Sequence, residues 1–365
     1  MPSALAHLQI LAASGRPAGS ASETAARQYA HGQLAELGFS VHEVPFEYSA
    51  FPGRMATPTV GVALALSLVV SAASALLGAH RTADAVLFVG LVVTAVFVRR
   101  MLGDGVLDVP WMRRRGVNLV ATRGSATPSV WLVAHLDTKS QPIPSAVRVI
   151  GVVALTVVVL LALGATVLMF AGNAPRTLWW IILVAGALGA LPVIASVVGD
   201  HSDGAVDNAS GVAAVLSAAA LVAPNVDVGV LLPSAEELGL AGARAFVRGR
   251  ARGVALNCDG VDDEGALVIM YNGALPQRLV SAMASVGDAD LIAQRVRRMP
   301  LGLLTDSTAF TAAGWESVTV SHGSLATLRR VHTPGDSLAR LRGSSIGKVA
   351  ALLARAVEVL ADGSA

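Results

Sequence analysis

Residues 129–137 read Ser-Val-Trp-Leu-Val-Ala-His-Leu-Asp, a short apolar run that stops abruptly at a histidine and an aspartate. An uninterrupted apolar stretch of this length, bounded by turn residues, has the composition of a strand buried on both faces of a parallel sheet. In such sheets ligands bind beyond the carboxyl ends of the strands. Period-two alternation aims His135 and Asp137 the same way, so the end of this strand becomes the first place to look for chemistry.

Working outward, similar strand-like runs occur at 40–46, 117–122, 226–232, 253–257, 266–271 and 317–321. Between them lie helical patterns at 20–37, 210–222, 241–251, 276–286, 307–313 and 344–361. The first of these helices opens with Ser20 and Glu23 at capping-box spacing. Alternation of this kind predicts an α/β fold, a three-layer sandwich around a mostly parallel central sheet. No internal repeat or low-complexity tract interrupts it.

Two other insertions do. Four stretches, 58–79, 85–98, 149–172 and 177–198, contain no ionisable residue. A bilayer core is crossed by about 20 helical residues. The second stretch falls short, but Arg99 and Arg100 can snorkel from its end and Asp84 sits at its start, so a tilted or locally thinned crossing is expected. The chain is thus expected to hold a discontinuous soluble domain, 1–57, 101–148 and 199–365, interrupted by transmembrane hairpins at 58–100 and 149–198. The tight loops are 80–84 and 173–176.

Composition agrees. The 365 residues are 54% hydrophobic and 14% charged, against about 25% charged in ordinary soluble domains. Mean hydropathy is +0.62. A net charge of +2 lacks the large basic excess of a nucleic-acid binder, so no nucleic-acid partner is expected. The lone cysteine, Cys258, forms no internal disulfide. No long apolar run precedes residue 58, so the first span is expected to be retained and not cleaved as a signal peptide. Arg54, Arg99, Arg100, Arg113, Arg114, Arg115, Lys139 and Arg148 flank one side of the spans, and Arg81 and Arg176 lie in the tight loops. The positive-inside rule then places the soluble domain in the cytoplasm of a multi-pass membrane protein. No span carries the buried ionisable residues that mark a transport path, which disfavours a transporter. Small residues such as Ala185, Gly186, Gly189 and Ala190 fit close helix packing instead.

Five polar clusters sit at or near the strand ends: His-Leu-Asp-Thr at 135–138, Gly-Ala-Val-Asp-Asn-Ala-Ser-Gly at 204–211, Ser-Ala-Glu-Glu-Leu-Gly-Leu-Ala-Gly at 234–242, Asn-Cys-Asp-Gly at 257–260 and His-Thr-Pro-Gly-Asp at 332–336. Each alone is an ordinary polar turn or helix start. In this order they resemble the aminopeptidase S and aminopeptidase Y family of co-catalytic zinc metallopeptidases, which also includes glutaminyl cyclases.

That resemblance implies roles at the matching positions. His135 and Asp259 would bind one zinc, Glu237 and His332 a second, and Asp207 would bridge the two. Asp137 would orient His135. Glu236 would be the general acid/base, accepting a proton from a metal-bridged water and passing it to the departing amine. A shared carboxylate can hold two ions about 3.5 to 4 Å apart. The implied activity is that of a membrane-integral exopeptidase, an aminopeptidase acting on small peptides. A glutaminyl cyclase-like acyltransferase and a noncatalytic receptor of peptidase fold are the alternatives.

Three departures from the family pattern bear on this. His135 and Asp207 lie 72 residues apart, with a complete apolar hairpin between them where soluble members have about a dozen residues, which would set the site close to the bilayer. Thr305-Asp306-Ser307-Thr308-Ala309-Phe310 lacks the histidine and proline of the family's Ser-Asp-His-x-Pro-Phe turn. Val331 stands where many members place a tyrosine before the last histidine. His322 competes with His332 as a ligand, and the His-Thr-Pro-Gly-Asp setting favours His332. His7, His31, His42, His80 and His201 lack acidic context and are read as surface residues.

Overall fold

The structure is a computed structural model describing residues 2–103, 105–286, 295–300 and 302–363. The chain divides into two units, one formed by Met1–Ser49, Met112–Ser140 and Asp200–Ala365 and the other by Ala50–Trp111 and Gln141–Gly199. The elements in chain order begin with α1 (Ala4–Leu11), α2 (Ala21–Glu36), β1 (Ser40–Ser49), α3 (Phe51–Leu76), α4 (His80–Leu102) and the short α5 (Gly105–Asp108). Then come β2 (Arg113–Arg123), β3 (Val130–Val133), α6 (Ser145–Phe170), α7 (Arg176–Ile194), α8 (Gly211–Leu221), β4 (Val228–Leu232) and α9 (Ala241–Val247). The chain continues with β5 (Val254–Val261), β6 (Ala266–Tyr271), α10 (Gln277–Val286), β7 (Val296–Arg298), α11 (Asp306–Ala312), β8 (Glu316–Gly323), α12 (Leu325–Arg330) and α13 (Ile346–Ala361).

The first unit is built on one sheet in the order β1-β2-β4-β3-β5-β8-β6-β7. Its middle block, β4-β3-β5-β8, is parallel. Among the described residues the expectation of a mostly parallel sheet holds for four of the seven strand pairs, β6 with β7 being the fourth, while β1 with β2, β2 with β4, and β6 with β8 are antiparallel. An apolar run such as 117–122 reports burial on two faces but carries no direction. Direction is set by how the connections return the chain.

Alternation within the parallel strands sorts the core. Val130 and Leu132 of β3 and Val228 and Val230 of β4 face one layer, where they pack with Leu8, Ala30, Leu34, Val215, Met283 and Leu353 from the helices α1, α2, α8, α10 and α13. Trp131 and Val133 face the other layer with Phe246, Phe310 and Trp315. The three-layer sandwich expected from the sequence is present, with a smaller helical layer on the second face. Elements that the sequence pattern did not announce include α1, α5, β7 and α12, each of eight residues or fewer.

The second unit holds four helices, Phe51–Leu76, His80–Leu102, Val147–Phe170 within α6, and Arg176–Ile194, that are long and apolar enough to cross a membrane. The second is not the short segment expected. It runs for 23 residues, because Arg81, Asp84, Arg99 and Arg100 lie at the helix ends and do not break its backbone pattern. Within this unit small residues permit close approach. A Cβ on Gly186 would meet the Leu68 side chain at 3.1 Å, and one on Gly90 would strike Ser67 Oγ at 2.0 Å. Ala72, Leu155, Ala162, Trp179, Ile182 and Ala190 form the inner seam, while the opposite faces expose Phe88, Val96, Leu160 and Val167, each more than 60% accessible.

Glu23, at the start of α2 and 1% exposed, accepts from the Gly19 backbone N–H at 2.7 Å. Burial first, and then the charge of Asp137, push its carboxyl up to about 7. A raised carboxylate pKa stabilises the fold fully below the unfolded value, and this contribution is lost as pH rises through the folded one. Glu23→Gln is therefore expected to raise the melting temperature at pH 8 by a few degrees and to leave it unchanged at pH 4, as read by differential scanning fluorimetry of the two proteins side by side.

Candidate metal centre

Neighbouring strands lie about 4.8 Å apart, so the carboxyl ends of β4, β3 and β5 bring three loops onto one edge of the sheet. His135 follows β3, the Glu236-Glu237 pair follows β4, and Asp259 lies near the end of β5. Asp207 arrives on the tight turn that precedes α8, and His332 on the loop after α12.

These side chains converge as two groups. His135, Glu236 and Asp259 form one, and Asp207, Glu237 and His332 the other, with the candidate ligand atoms of each group within 4.8 Å of one another. Asp207 lies between the histidines: its Oδ1 is 3.1 Å from His135 Nε2 and its Oδ2 is 2.9 Å from His332 Nε2. Asp259 Oδ1 is 3.8 Å from His135 Nε2, and Glu237 Oε1 is 3.1 Å from His332 Nε2. Glu236 stands slightly back, with Oε2 at 4.0 Å from His135 Nε2. All six come together, as do Asp137 and Asp306. His322 takes no part in either group, its Nδ1 lying 2.8 Å from the Asp262 carbonyl. His7 is also spoken for, by the Tyr29 hydroxyl at 2.7 Å, and it is buried, not a surface group.

Neighbouring residues of the same motifs hold the loops in register. The Asp137 carboxylate accepts from the backbone N–H groups of Glu236 at 2.9 Å and Glu237 at 3.1 Å. Asp137 therefore holds the glutamate loop in addition to flanking His135. His135 Nδ1 meets the Asp137 backbone carbonyl at 3.0 Å and lies 3.7 Å from its carboxylate, which is occupied by the glutamate loop. Asn208 donates to the Cys258 carbonyl at 2.9 Å and accepts from Gly260 N–H at 3.2 Å, joining the Asp207 turn to the Asp259 loop. Asp336 accepts from the backbone of Val206 at 2.7 Å and Asp207 at 3.1 Å, joining that turn to the His332 loop. Asn118 of β2 grips both ends of the glutamate loop, through Ser234 N–H and the Gly242 carbonyl. Ala235 and His332 adopt positive φ of 58° and 64°, a left-handed backbone that non-glycine residues hold at a cost when the surroundings fix it.

Lys139 was missed as a site residue. It reads from sequence as one of the cations flanking the membrane, but its Nζ lies 2.5 Å from Glu237 Oε2. Only the position two residues past Asp137 hinted at this. Burial pushes the Glu237 carboxyl up, yet His332 and Lys139 outweigh it and hold it down at about 2. Asp207, likewise opposed by burial, is held well below the carboxylate range by His135 and His332. Glu236 goes the other way. Its burial and the charges of Glu237, Asp306 and Asp259 raise it well above 4.5, against the pull of His135. Asp306, fully buried with neither carboxylate oxygen hydrogen-bonded, is pushed up to about 8 by burial and by Asp259, Asp137 and Glu237, against His135. Burial raises the Cys258 thiol, leaving it inert.

The donor set fits divalent metal. It offers imidazole nitrogen and carboxylate oxygen, the ligand types of zinc, and the buried Glu237 Oε1 has no hydrogen-bond donor. An α/β sandwich with such a donor set beyond its strand ends defines a metal-dependent hydrolase by class. More particularly, residues 118–357 match the model of peptidase family M28, and the chain belongs to that family, which places it among the metallopeptidases.

Solved structures of similar fold include an aminopeptidase from Aneurinibacillus sp. strain AM-1, at 14% identity over 98% of this chain and 92% of that one, with a TM-score of 0.58. They also include a zinc aminopeptidase from Bacillus subtilis, at 15% identity over 98% and 94% with a TM-score of 0.55, and the Fimbriiglobus ruber glutaminyl cyclase, with the same identity, coverage and score. At these identities the likeness is one of fold. No curated protein sequence matches the chain.

Asp137→Asn keeps the volume but puts an amide N–H where one of two backbone donors must be accepted. Loss of an outer partner of this kind costs about 10- to 100-fold in metal affinity or activity. The expected result is zinc binding weakened within that range in chelator competition, with the circular dichroism spectrum unchanged.

Proposed function

We propose that this chain is a membrane-integral, zinc-dependent exopeptidase, an aminopeptidase that removes N-terminal residues from small peptides. The observation that carries this reading is Asp207, whose two carboxylate oxygens face His135 and His332 at 3.1 and 2.9 Å. In this reading two zinc ions are held, one by His135, Asp259 and Asp207, the other by Glu237, His332 and Asp207. Bound there, zinc supplies Lewis acidity toward a substrate carbonyl and acidifies water.

The rest falls to the protein's own groups. Glu236 is the proton carrier of the reaction. Its Oε2 stands 4.0 Å from His135 Nε2, farther than the carboxylates of Asp207 and Asp259, and a raised proton affinity suits a group that must take up a proton and then release it to an amine leaving group. Asp137 fixes the backbone of Glu236 and Glu237 together, so base and ligand move as one. Lys139 holds Glu237 Oε2 and leaves Oε1 turned toward His332.

The four apolar helices support membrane insertion. Their outward faces carry large apolar side chains that water does not tolerate over such an area and that hydrocarbon does. Seven arginines flank one side of the spans against Arg81 and Arg176 on the other, Lys139 being committed to Glu237. This balance supports a cytoplasmic catalytic unit.

The glutaminyl cyclases among the structures of similar fold support a second reading, cyclisation of N-terminal glutamine, and none of the expected donors is missing as it would be in a noncatalytic receptor. Purified protein is expected to hold about two zinc ions per chain by elemental analysis and to hydrolyse aminoacyl-p-nitroanilides and dipeptides, with activity lost on chelation. Glu236→Gln is expected to lower kcat by about 10²- to 10⁴-fold while retaining zinc. Activity that survives both chelation and this substitution rejects the peptidase mechanism, and glutamine cyclisation with one zinc and no hydrolysis selects the second reading. For topology, a cysteine introduced at Arg176 should react with an impermeant maleimide only from outside the cell, and labelling confined to the cytoplasmic side would reverse the assignment.

A further inference from the structure

The two loops that carry His135 and Asp207 are not held together by chain continuity. Between Ser140 and Asp200 the chain belongs entirely to the other unit, so closing this long excursion is left to contacts within the first unit. Beside the His201 N–H donated to Ser140 Oγ at 2.8 Å, Arg16, on the segment after α1, makes such contacts. Its side chain is 1% exposed. Nε donates to the Leu136 carbonyl at 2.9 Å, between His135 and Asp137. On the other side Nη1 donates to the Asp203 carbonyl at 2.9 Å and Nη2 to the Gly204 carbonyl at 3.0 Å, at the root of the Asp207 turn. The backbone adds a second link to the first loop: Arg16 N–H donates to Thr138 Oγ1 at 2.7 Å, and Thr138 N–H to the Arg16 carbonyl at 3.0 Å.

The fit between the loops leaves no slack. A Cβ on Gly204 would lie 2.3 Å from both Thr138 Cγ2 and the Asp207 carbonyl, and one on Gly15 would lie 2.7 Å from the Ser202 carbonyl. Burying a cation is costly, and here it is coordinated by carbonyls with the carboxylates of Asp137, Asp207 and Asp336 nearby. Burial lowers its pKa only to about 10 because those acids oppose the shift, so it stays charged at neutral pH.

We infer that Arg16 is a positioning residue of the metal centre, a clamp that sets the separation of the His135 and Asp207 loops across the inserted helical hairpin. This inference rests on the metal-centre reading above. A planar fork of five donors reaches both loops at once. The single nitrogen of a lysine reaches one.

The test uses the full-length protein in detergent micelles, comparing wild type with Arg16→Lys and Thr138→Val. Three quantities are read: zinc affinity by chelator competition, the visible spectrum of the cobalt-substituted protein, and the circular dichroism of each variant. Arg16→Lys is expected to fold, to bind zinc about 10- to 100-fold more weakly and to shift the cobalt bands. Thr138→Val, which removes one hydroxyl acceptor, is expected to weaken zinc binding about threefold. Arg16→Lys that folds with wild-type zinc affinity and cobalt spectrum overturns the clamp. If Arg16→Lys is not recovered folded, the decision falls to Thr138→Val, where unchanged affinity and spectrum overturn it equally. Wild-type protein that binds zinc separates these failures from failure of the metal-centre reading, since wild type without zinc affinity removes both.

Discussion

Negative charge confined in a small buried space is the constraint on which this molecule depends. Asp137, Asp207, Glu236, Glu237, Asp259 and Asp306 share one edge of the sheet, and Asp137 and Asp306 are fully buried. Like charges at such separations repel strongly where water is excluded, so each carboxylate must find a cation, a hydrogen-bond donor or a proton. Asp207 and Glu237 find cations, in His135, His332 and Lys139. Asp137 finds two backbone N–H groups. Glu236 and Asp306 have neither in full and are shifted toward the protonated form. Divalent metal is the natural complement to what remains.

Holding that charge in place falls to a second set of residues that never face the centre of the site. Asn118 and Asp137 bond the backbone of the glutamate loop, Asn208 that of the Asp259 loop and Asp336 that of the Asp207 turn, and Arg16 joins the His135 loop to that turn. The division of labour explains the composition of the motifs. Gly-Ala-Val-Asp-Asn-Ala-Ser-Gly supplies one side chain to the donor set, Asp207, and two to the scaffold: Asn208, and Ser210, whose Oγ accepts from Val261 N–H at 2.8 Å. A loop fixed by hydrogen bonds at both ends keeps its ligand geometry when the chain beyond it goes elsewhere. The hairpin inserted between His135 and Asp207 is tolerated for that reason.

The sequence determined much of this by itself. Apolar runs of strand length, polar residues stopping them, and four charge-free stretches are local patterns, the first reflecting burial residue by residue and the last giving four helices long and apolar enough to cross a membrane. His135, Asp207, Glu236, Glu237, Asp259 and His332 were legible because their five motifs, in this order at or near strand ends, resemble those of a zinc metallopeptidase family. Tertiary structure alone decided the rest. The antiparallel direction of β2 follows from how the chain returns to the sheet, which burial does not encode. Lys139 and Arg16 look like ordinary surface cations until the fold closes around them. Their roles are set by distance to groups about 100 or more residues away, and Coulomb and hydrogen-bond energies depend on that distance in space, which the order of residues along the chain does not specify.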